Sequence, residues 1–348
     1  MKNGPDWESQ PFLLLHQTRF FAEETGGLIH CGLCPRGCSI KSGNFGACRV
    51  RGNKKGRGII PFYGFASALA MDPIEKKPLY HFLPGSAILS LGFTGCNLRC
   101  PFCQNWRISQ DTDIQGRYMK PKEVVSAALR ENSPSIAYTY SEPLVHAEYL
   151  LDCMSVAHKH GIANVLVSNG CVKAEAAGEI LSLTDAANID LKCFSPETYS
   201  KILGGDLQTV LEFIALAFKT GVHVEISTLV VPDLNDTEEE LDRCADFIAG
   251  RPETPWHLAA YHPDYRWNAP PTDPAFLLRT AGRAREKLRY VYTGNIPAEQ
   301  NDTPCPHCGA ILVRRRAYRV DAGGLVSPAG GERFYRCAAC GGKTDISG

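Results

Sequence analysis

The chain has 348 residues, and its 37 lysines and arginines are matched by 37 aspartates and glutamates, with ten histidines besides. A formal charge of zero argues against a general electrostatic grip on nucleic acid, which needs a net basic field to displace the counterions of phosphate. Apolar runs such as Phe12 to Leu15 and Phe213 to Phe218 fall well short of the roughly 18 residues of a spanning helix, and no secretory signal opens the chain, so a cytoplasmic protein is expected.

At 44% hydrophobic and 21% charged, the composition is globular, and the length suits two or three domains. Fifteen cysteines cannot all pair internally, because the number is odd. Close-spaced thiols in a reducing compartment more often hold metal than form bridges. In chain order the organisation expected is a Cys-rich segment over residues 1–60, a body over 61–296 and a small Cys-rich domain over 297–348.

The first segment carries Cys31, Cys34, Cys38 and Cys48. Four thiolates at this spacing suit zinc or an auxiliary iron-sulfur cluster. After it comes the basic, Gly-rich loop Arg51 to Gly58, and then Asp72 to Phe82, a charged loop placed to border an active mouth.

Apolar runs of strand length cover Ala87 to Phe93, Ser135 to Tyr140, Asn164 to Asn169, Asn188 to Phe194, His223 to Val231 and Trp256 to His262. Between and after them, apolar residues recur at helical intervals over Lys122 to Glu131, Glu142 to His160, Lys173 to Leu183, Leu207 to Thr220, Glu238 to Ala249 and Pro274 to Leu288. Such alternation predicts an α/β fold of parallel strands with right-handed crossovers, either an open doubly wound sheet or a full or partial barrel. Chemistry then gathers at the carboxyl ends of the strands. A parallel strand covered on both faces reads as almost continuously apolar, so the polar alternations Asn188, Asp190, Lys192 and His223, Glu225, Ser227 point to a wet or ligand-filled interior. The alternative for Asp190 and Lys192 is a buried structural pair. Scattered Cys153, Cys171, Cys193 and Cys244 behave as small hydrophobes.

Directly after the first of these strands stands Cys96-Asn97-Leu98-Arg99-Cys100-Pro101-Phe102-Cys103, with an aromatic just before the last thiol. A C-x3-C-x2-C loop can wrap three corners of a four-iron cluster and leave the fourth iron without a protein ligand. Structural zinc would need a fourth protein ligand, for which only His81 offers itself.

This loop on a parallel-strand body resembles the cluster motif of radical S-adenosylmethionine (SAM) enzymes. The resemblance implies a partial (βα)6 TIM-like barrel of the radical SAM type, with small metal-binding domains at both ends. It also implies a 4Fe-4S cluster on Cys96, Cys100 and Cys103 that binds SAM at its open iron and reduces it to methionine and a 5'-deoxyadenosyl radical. Position by position, the stretch Thr139-Tyr140-Ser141-Glu142-Pro143 stands where many members carry Gly-Gly-Glu for the methionyl amine. Ser168, Asn169, Asp190 and Lys192 match contacts to the ribose and the SAM carboxylate, and Phe102 and His262 match cofactor contacts.

The segments Cys31 to Cys38, Asp72 to Phe82, Cys103 to Trp106, Tyr138 to Pro143 and Tyr292 to Ile296 together resemble the radical SAM member of the AmmeMemoRadiSam system, a family similar to pyruvate formate-lyase activating enzymes. That implies AMMECR-type and Memo-type partners and an electron donor such as flavodoxin or ferredoxin. It leaves the substrate open, with glycyl-radical activation as one version.

At the carboxyl end, Cys305-x2-Cys308 and Cys337-x2-Cys340 form two knuckles of a ribbon or rubredoxin-like domain, for which zinc is the first choice and iron the second. A staple is needed because about fifty residues bury too small a core alone. The reading from another class is a metal-stapled nucleic-acid binder using Arg51, Lys54, Lys55 and Arg57 with Arg314, Arg315, Arg316 and Arg319.

Overall fold

The computed structural model describes residues 18–111, 116–297, 301–327 and 332–348; the run Phe12 to Leu15 lies outside them. The first described elements are small. Phe21–Glu23 (β1), Ile29–Cys31 (β2) and Ser39–Ile40 (β3) form an antiparallel sheet, and Gly52–Lys54 (β4) pairs with Arg57–Ile59 (β5). Phe65–Ala66 (β6) leads into the body.

The body is an eight-stranded sheet. Its strands are Ala68–Pro73 (β7) and Ala87–Gly92 (β8), then, after the short helix Trp106–Ser109 (α1) and Arg117–Tyr118 (β9, paired with β6), Ser135–Thr139 (β10), Ala163–Ser168 (β11), Ala186–Asp190 (β12), His223–Val230 (β13), Trp256–Ala260 (β14) and Val291–Gly294 (β15). Their order is β15-β14-β13-β12-β11-β10-β8-β7, with every pair parallel except β7 against β8. Helices Pro121–Arg130 (α2), Ala147–Lys159 (α3), Ala174–Leu181 (α4), Leu207–Lys219 (α5), Glu238–Ile248 (α6) and Pro274–Ala284 (α7) provide the crossovers. The α/β class and the six strand–helix units match the expectation.

The helices start where their sequences supply caps. Asp206 accepts from Thr209 N, Thr237 from Glu240 N, and Asp273 from Ala275 N and Phe276 N, each satisfying a donor the first turn leaves free. The helix expected from Glu142 begins only at Ala147. Pro143 to His146 instead form a 3-10 turn capped by the Glu142 carboxylate.

Two strands escaped the periodicity. β7 is a half-exposed edge strand and β15 has only four residues, so neither shows the continuous apolar run of a central parallel strand. No helix of the described residues is long and apolar enough to cross a membrane.

The segment after β7 corrects the expectation for Asp72 to Phe82. Instead of bordering the mouth, it fills the opposite end of the sheet, where the strands begin. Ile74, Leu79 and Phe82 pack with Ile88, Ala137, Val165 and Ala186, and the Pro78 carbonyl accepts from Asn188 Nδ2 at 2.7 Å. The backbone N–H groups of Tyr80 and His81 both donate to the fully buried Glu225 carboxylate, which also takes Nε2 contacts from His223 and His257 at 3.1 and 2.7 Å. Burial opposes that charge, but the two imidazoles outweigh it and hold the carboxyl well below its usual range.

The C-terminal ribbon docks on the same end. It comprises Thr303–Pro304 (β16), Ile311–Arg316 (β17), Arg319–Asp321 (β18), Leu325–Val326 (β19), Phe334–Cys337 (β20) and Lys343–Ser347 (β21), around a core of Cys305, Leu312, Val313, Cys337 and Ile346. Leu83 N donates to Ser347 O at 2.9 Å and Ser347 N to His81 O at 2.8 Å. Arg289 pairs with Asp345 at 2.6 Å. The ribbon thus covers the amino-terminal ends of the strands.

Two cations that a nucleic-acid surface would use are buried. Arg315 is committed to this docking, and Arg51 forms a two-pronged pair with Glu148 of α3 at 2.7 and 2.8 Å.

Candidate active site

At the carboxyl ends of β8, β10, β11 and β12 the chain leaves the sheet in four loops, and these loops hold most of the residues singled out in the sequence. The β8 loop runs through Gly95, whose φ of +78° is left-handed and which backs directly onto Val50 and the Cys48 carbonyl. A side chain there would collide with backbone, so glycine is required at the turn into Cys96.

Hydrogen-bonding groups surround two of the three thiols of this loop. Leu98 N donates to the Cys96 sulfur at 3.3 Å, and Asn169 Nδ2 approaches the same atom at 3.6 Å. The Cys103 sulfur and Ser109 Oγ lie 3.2 Å apart. Burial pushes the Cys100 thiol up to about 12, opposed by the nearby Lys192 ammonium, so a thiolate there calls for a cationic partner such as iron. These donors fit an iron-sulfur cluster.

Glu142 is the hub of the second layer. Its buried carboxylate accepts from Leu144 N at 3.0 Å, Ser168 Oγ at 2.7 Å and Asn169 N at 2.8 Å. Burial raises the carboxyl to about 7 against the pull of these donors, and the Asp190 charge adds to the rise. A carboxylate offers about four acceptor positions, so one remains for a ligand ammonium. Asn169 completes the link to the cluster loop, with Nδ2 on Asn97 Oδ1 at 3.0 Å and Oδ1 taking Cys171 N at 2.9 Å.

Asp190 and Lys192 form an ion pair at 2.9 Å, with the Asp190 side chain more than a third exposed. Burial pulls the Lys192 ammonium down, but the charges of Asp190 and Cys100 outweigh it and keep the lysine protonated. The pair therefore stands open beside the cluster loop and is not sealed in the core. Ser141 Oγ and Ser227 Oγ are buried and have no hydrogen-bond partner among the described residues. Ser227 pairs in register with Asp190, so its hydroxyl faces the same side, available to a polar ligand such as a ribose. The polar alternation His223, Glu225, Ser227 carried that signal, although Ser227 was not singled out.

The remaining expected residues are Tyr140, Phe102 and His262. Tyr140 has a left-handed φ of +70° and its hydroxyl donates to Asp72 at 2.5 Å, with the Lys77 ammonium 4.3 Å from its ring. Its side chain thus meets the Asp72 to Phe82 segment, the plug of the sheet's lower end. Phe102 is buried in the core. His262 follows β14 and sits 3.0 Å from Gln104 Nε2, a residue of the cluster loop not singled out before. Next to Gln104, Trp106 stacks on Tyr265 with centroids 5.2 Å apart.

The N-terminal cysteines flank this same mouth. Arg36 Nε donates to Asn97 O at 2.8 Å and Lys173 N to Leu33 O at 3.0 Å. The C-terminal four lie at the far ribbon, where Cys305 and Cys340, and Cys308 and Cys337, stand 3.8 Å apart. That spacing is the edge of a tetrahedron with metal–sulfur bonds of about 2.3 Å, so four thiolates there fit one ion.

Comparison with known proteins gives a consistent picture. Residues 91–248 match the description of the radical SAM superfamily. The chain is 39% identical over 340 residues to the uncharacterized protein MJ0808 of Methanocaldococcus jannaschii, covering 95% of this chain and 99% of that one. It is 29% identical over 171 residues to the pyruvate formate-lyase 1-activating enzyme of Escherichia coli K12, covering 47% of this chain and 69% of the relative. It is 21% identical over 248 residues to the benzylsuccinate synthase activating enzyme of Thauera aromatica, covering 68% and 73%.

Proposed function

The chain belongs to the radical SAM superfamily, and from that premise we propose that it is an enzyme that generates a radical from SAM and uses it to take hydrogen from a substrate not yet identified. Membership implies a 4Fe-4S cluster and SAM, which together supply reductive cleavage to a 5'-deoxyadenosyl radical. The protein's own residues would bind, orient and exclude water. Cys96, Cys100 and Cys103 would hold the cluster, the Glu142 carboxylate would take the methionyl ammonium, Lys192 the methionyl carboxylate, and Asp190, Ser168 and Ser227 the ribose hydroxyls.

The observation that carries this reading is the hydrogen-bonded chain from Cys96 through Asn169 to Glu142, with Lys192 and Asp190 beside Cys100. It gathers thiols, carboxylates and an ammonium at one end of the sheet. The test is anaerobic incubation with dithionite and SAM. Release of 5'-deoxyadenosine is expected from the native enzyme and none from Cys96→Ala/Cys100→Ala/Cys103→Ala. Release from that variant would defeat the assignment.

A second reading, activation of a glycyl-radical protein, is favoured by one feature. The C-terminal ribbon docks at the amino-terminal ends of the strands and so does not cover the mouth that a partner's loop would enter. The likeness to two activating enzymes points the same way. The AmmeMemoRadiSam system, with AMMECR-type and Memo-type partners, and a flavodoxin or ferredoxin as reductant belong to this proposal. So does zinc at Cys305, Cys308, Cys337 and Cys340.

A further inference from the structure

The four N-terminal thiols are brought together by backbone. Cys31 closes β2 with its N–H bonded to Cys38 O at 2.9 Å. The Cys38 sulfur accepts from Ala47 N at 3.4 Å, one residue before Cys48. Further backbone N–H groups serve two of the other sulfurs, that of Arg36 on Cys34 and those of Val50 and Arg51 on Cys48. Such N–H···S bonds are the outer shell that steadies thiolates around metal.

The scale of this group separates it from the C-terminal one. Among the described residues, Cys305, Cys308, Cys337 and Cys340 are the only set of three or more Cys, His, Asp or Glu side chains whose ligand atoms all lie within 4.8 Å of one another. The N-terminal four are gathered without closing to the size of a single ion. Cys96, Cys100 and Cys103 likewise do not all fall within that limit. A cubane does not need the closer set, since each thiolate bonds a different iron and the sulfurs stand apart by the width of the metal core.

We propose that Cys31, Cys34, Cys38 and Cys48 hold a second four-iron cluster, one thiolate per iron, seated beside the cluster loop. With four protein thiolates it has no open iron and cannot take SAM. The comparison with the Cys96 triad rests on reading that triad as the radical SAM site.

The surroundings suit an anionic redox centre. The Arg36 guanidinium bonds to the backbone at Asn97, and Arg49 Nη1 is bonded to the Gln110 carbonyl. Arg99, within the loop itself, donates to Cys96 O at 3.3 Å and Gln110 Oε1 at 3.1 Å, where it senses the charges of both Cys96 and Cys48. Arg36 and Arg49, from the segment that carries the N-terminal thiols, thus bond to the cluster loop and the residues after it, and Arg99 lies within reach of both. Net charge and hydrogen bonds to sulfur set cluster potentials, so both centres would be held by one basic belt.

The test is anaerobic iron, sulfide and zinc counting on the reconstituted full-length chain. About eight irons per chain are expected in the native protein and about four in Cys96→Ala/Cys100→Ala/Cys103→Ala. Cys34→Ala/Cys38→Ala should lose about four irons yet keep a reduced-cluster EPR signal that SAM perturbs. If the triad variant holds no iron and two zinc ions per chain, the N-terminal site is a zinc staple and this inference falls alone. A native protein without any iron would defeat the inference and the proposed function together. If the cysteine variants do not fold, EPR of the reduced native protein decides. Two cluster signals, of which SAM shifts one, support the site, and a single signal wholly shifted by SAM overturns it.

Discussion

Arg315 on the C-terminal ribbon donates from Nη2 to the backbone carbonyl of Tyr80 at 2.6 Å, with its guanidinium carbon 4.2 Å from the centre of the Tyr80 ring. Nη1 reaches Asn301 O and Thr303 Oγ1 at 3.1 and 2.7 Å. Because the Tyr80 N–H is itself held by Glu225, this buried cation joins ribbon, plug and sheet in one network. Replacing Arg315 with methionine keeps the apolar volume and strands those acceptors. A loss of about 2–4 kcal/mol of stability is expected, measured by denaturant unfolding. SAM cleavage should stay within about twofold of native, since the network lies at the end of the sheet opposite Cys96. Unchanged stability would show that the ribbon docks by other contacts.

The second prediction concerns pH. Burial pushes His81 down to about 3 and His146 to about 4, below the ordinary value near 6.5. Each depressed group contributes stability that is present above pH 6.5 and is lost as pH falls toward its folded value, by up to about 1.4 kcal/mol per unit. Glu142, raised to about 7, works the other way, contributing most at low pH and losing that contribution as pH rises through 7. Subtracting the stability profile of His146→Phe from that of the native chain therefore isolates one imidazole, which stacks on Phe93 and bonds Thr94 O at 2.8 Å. Between pH 7 and 5 the variant should show the shallower fall. Parallel profiles would mean that His146 is not buried in its neutral form.

Glu142 supplies the third. In the ligand-free protein its ionised form is the costly one, and a cation bound there recovers the cost. SAM should bind more tightly at pH 8 than at pH 6, and Glu142→Gln should abolish that dependence while weakening binding by about tenfold or more. Iron content should not change. Calorimetric titration with SAM checks both; equal affinity in the variant at pH 8 would remove Glu142 from the site.

The fourth rests on Arg51 and Glu148, almost wholly buried and joined by two bonds. Arg51 also donates to Arg19 O at 2.5 Å, so the pair anchors the N-terminal segment on α3. Glu148→Ala leaves a buried cation unpaired and should cost about 3–5 kcal/mol. Arg51→Met/Glu148→Leu, which removes both charges, should recover much of it. A double variant no more stable than the single one would mean the pair contributes through geometry alone.

Much of this architecture was legible because a central parallel strand must be apolar and a helix must repeat its apolar residues, as β10 and α5 do. The cluster thiols were legible because three ligands fall within eight residues. What stayed hidden depends on contacts far apart in the chain. Tyr80 and Glu225 are 145 residues apart, so nothing local told that Asp72 to Phe82 fills the end of the sheet where the strands begin. Tyr140 follows a strand whose next residues point at the mouth, yet its left-handed backbone turns its hydroxyl to Asp72. Ser227 hid in a run that alternates polar and apolar over its whole length, where no single hydroxyl stands out.

The last prediction separates the ribbon's four-cysteine site from the chemistry at the mouth. The ribbon's own core has five buried residues, two of them metal-site cysteines, too few to hold six short strands without a staple. Cys308 and Cys340 are exposed while Cys305 and Cys337 are buried, so an ion held there would be open to a chelator from one side. With zinc at the ribbon as proposed, Cys308→Ala/Cys340→Ala should lose one zinc per chain and keep all iron. Because Ser347 accepts from Leu83 N and donates to His81 O across the docking surface, a loosened ribbon should also expose the plug. Faster amide exchange is then expected at residues 80–84 and 343–348, with the Cys96 loop unchanged. A variant that keeps its zinc, or that loses iron with it, would contradict the separation of the two metal sites.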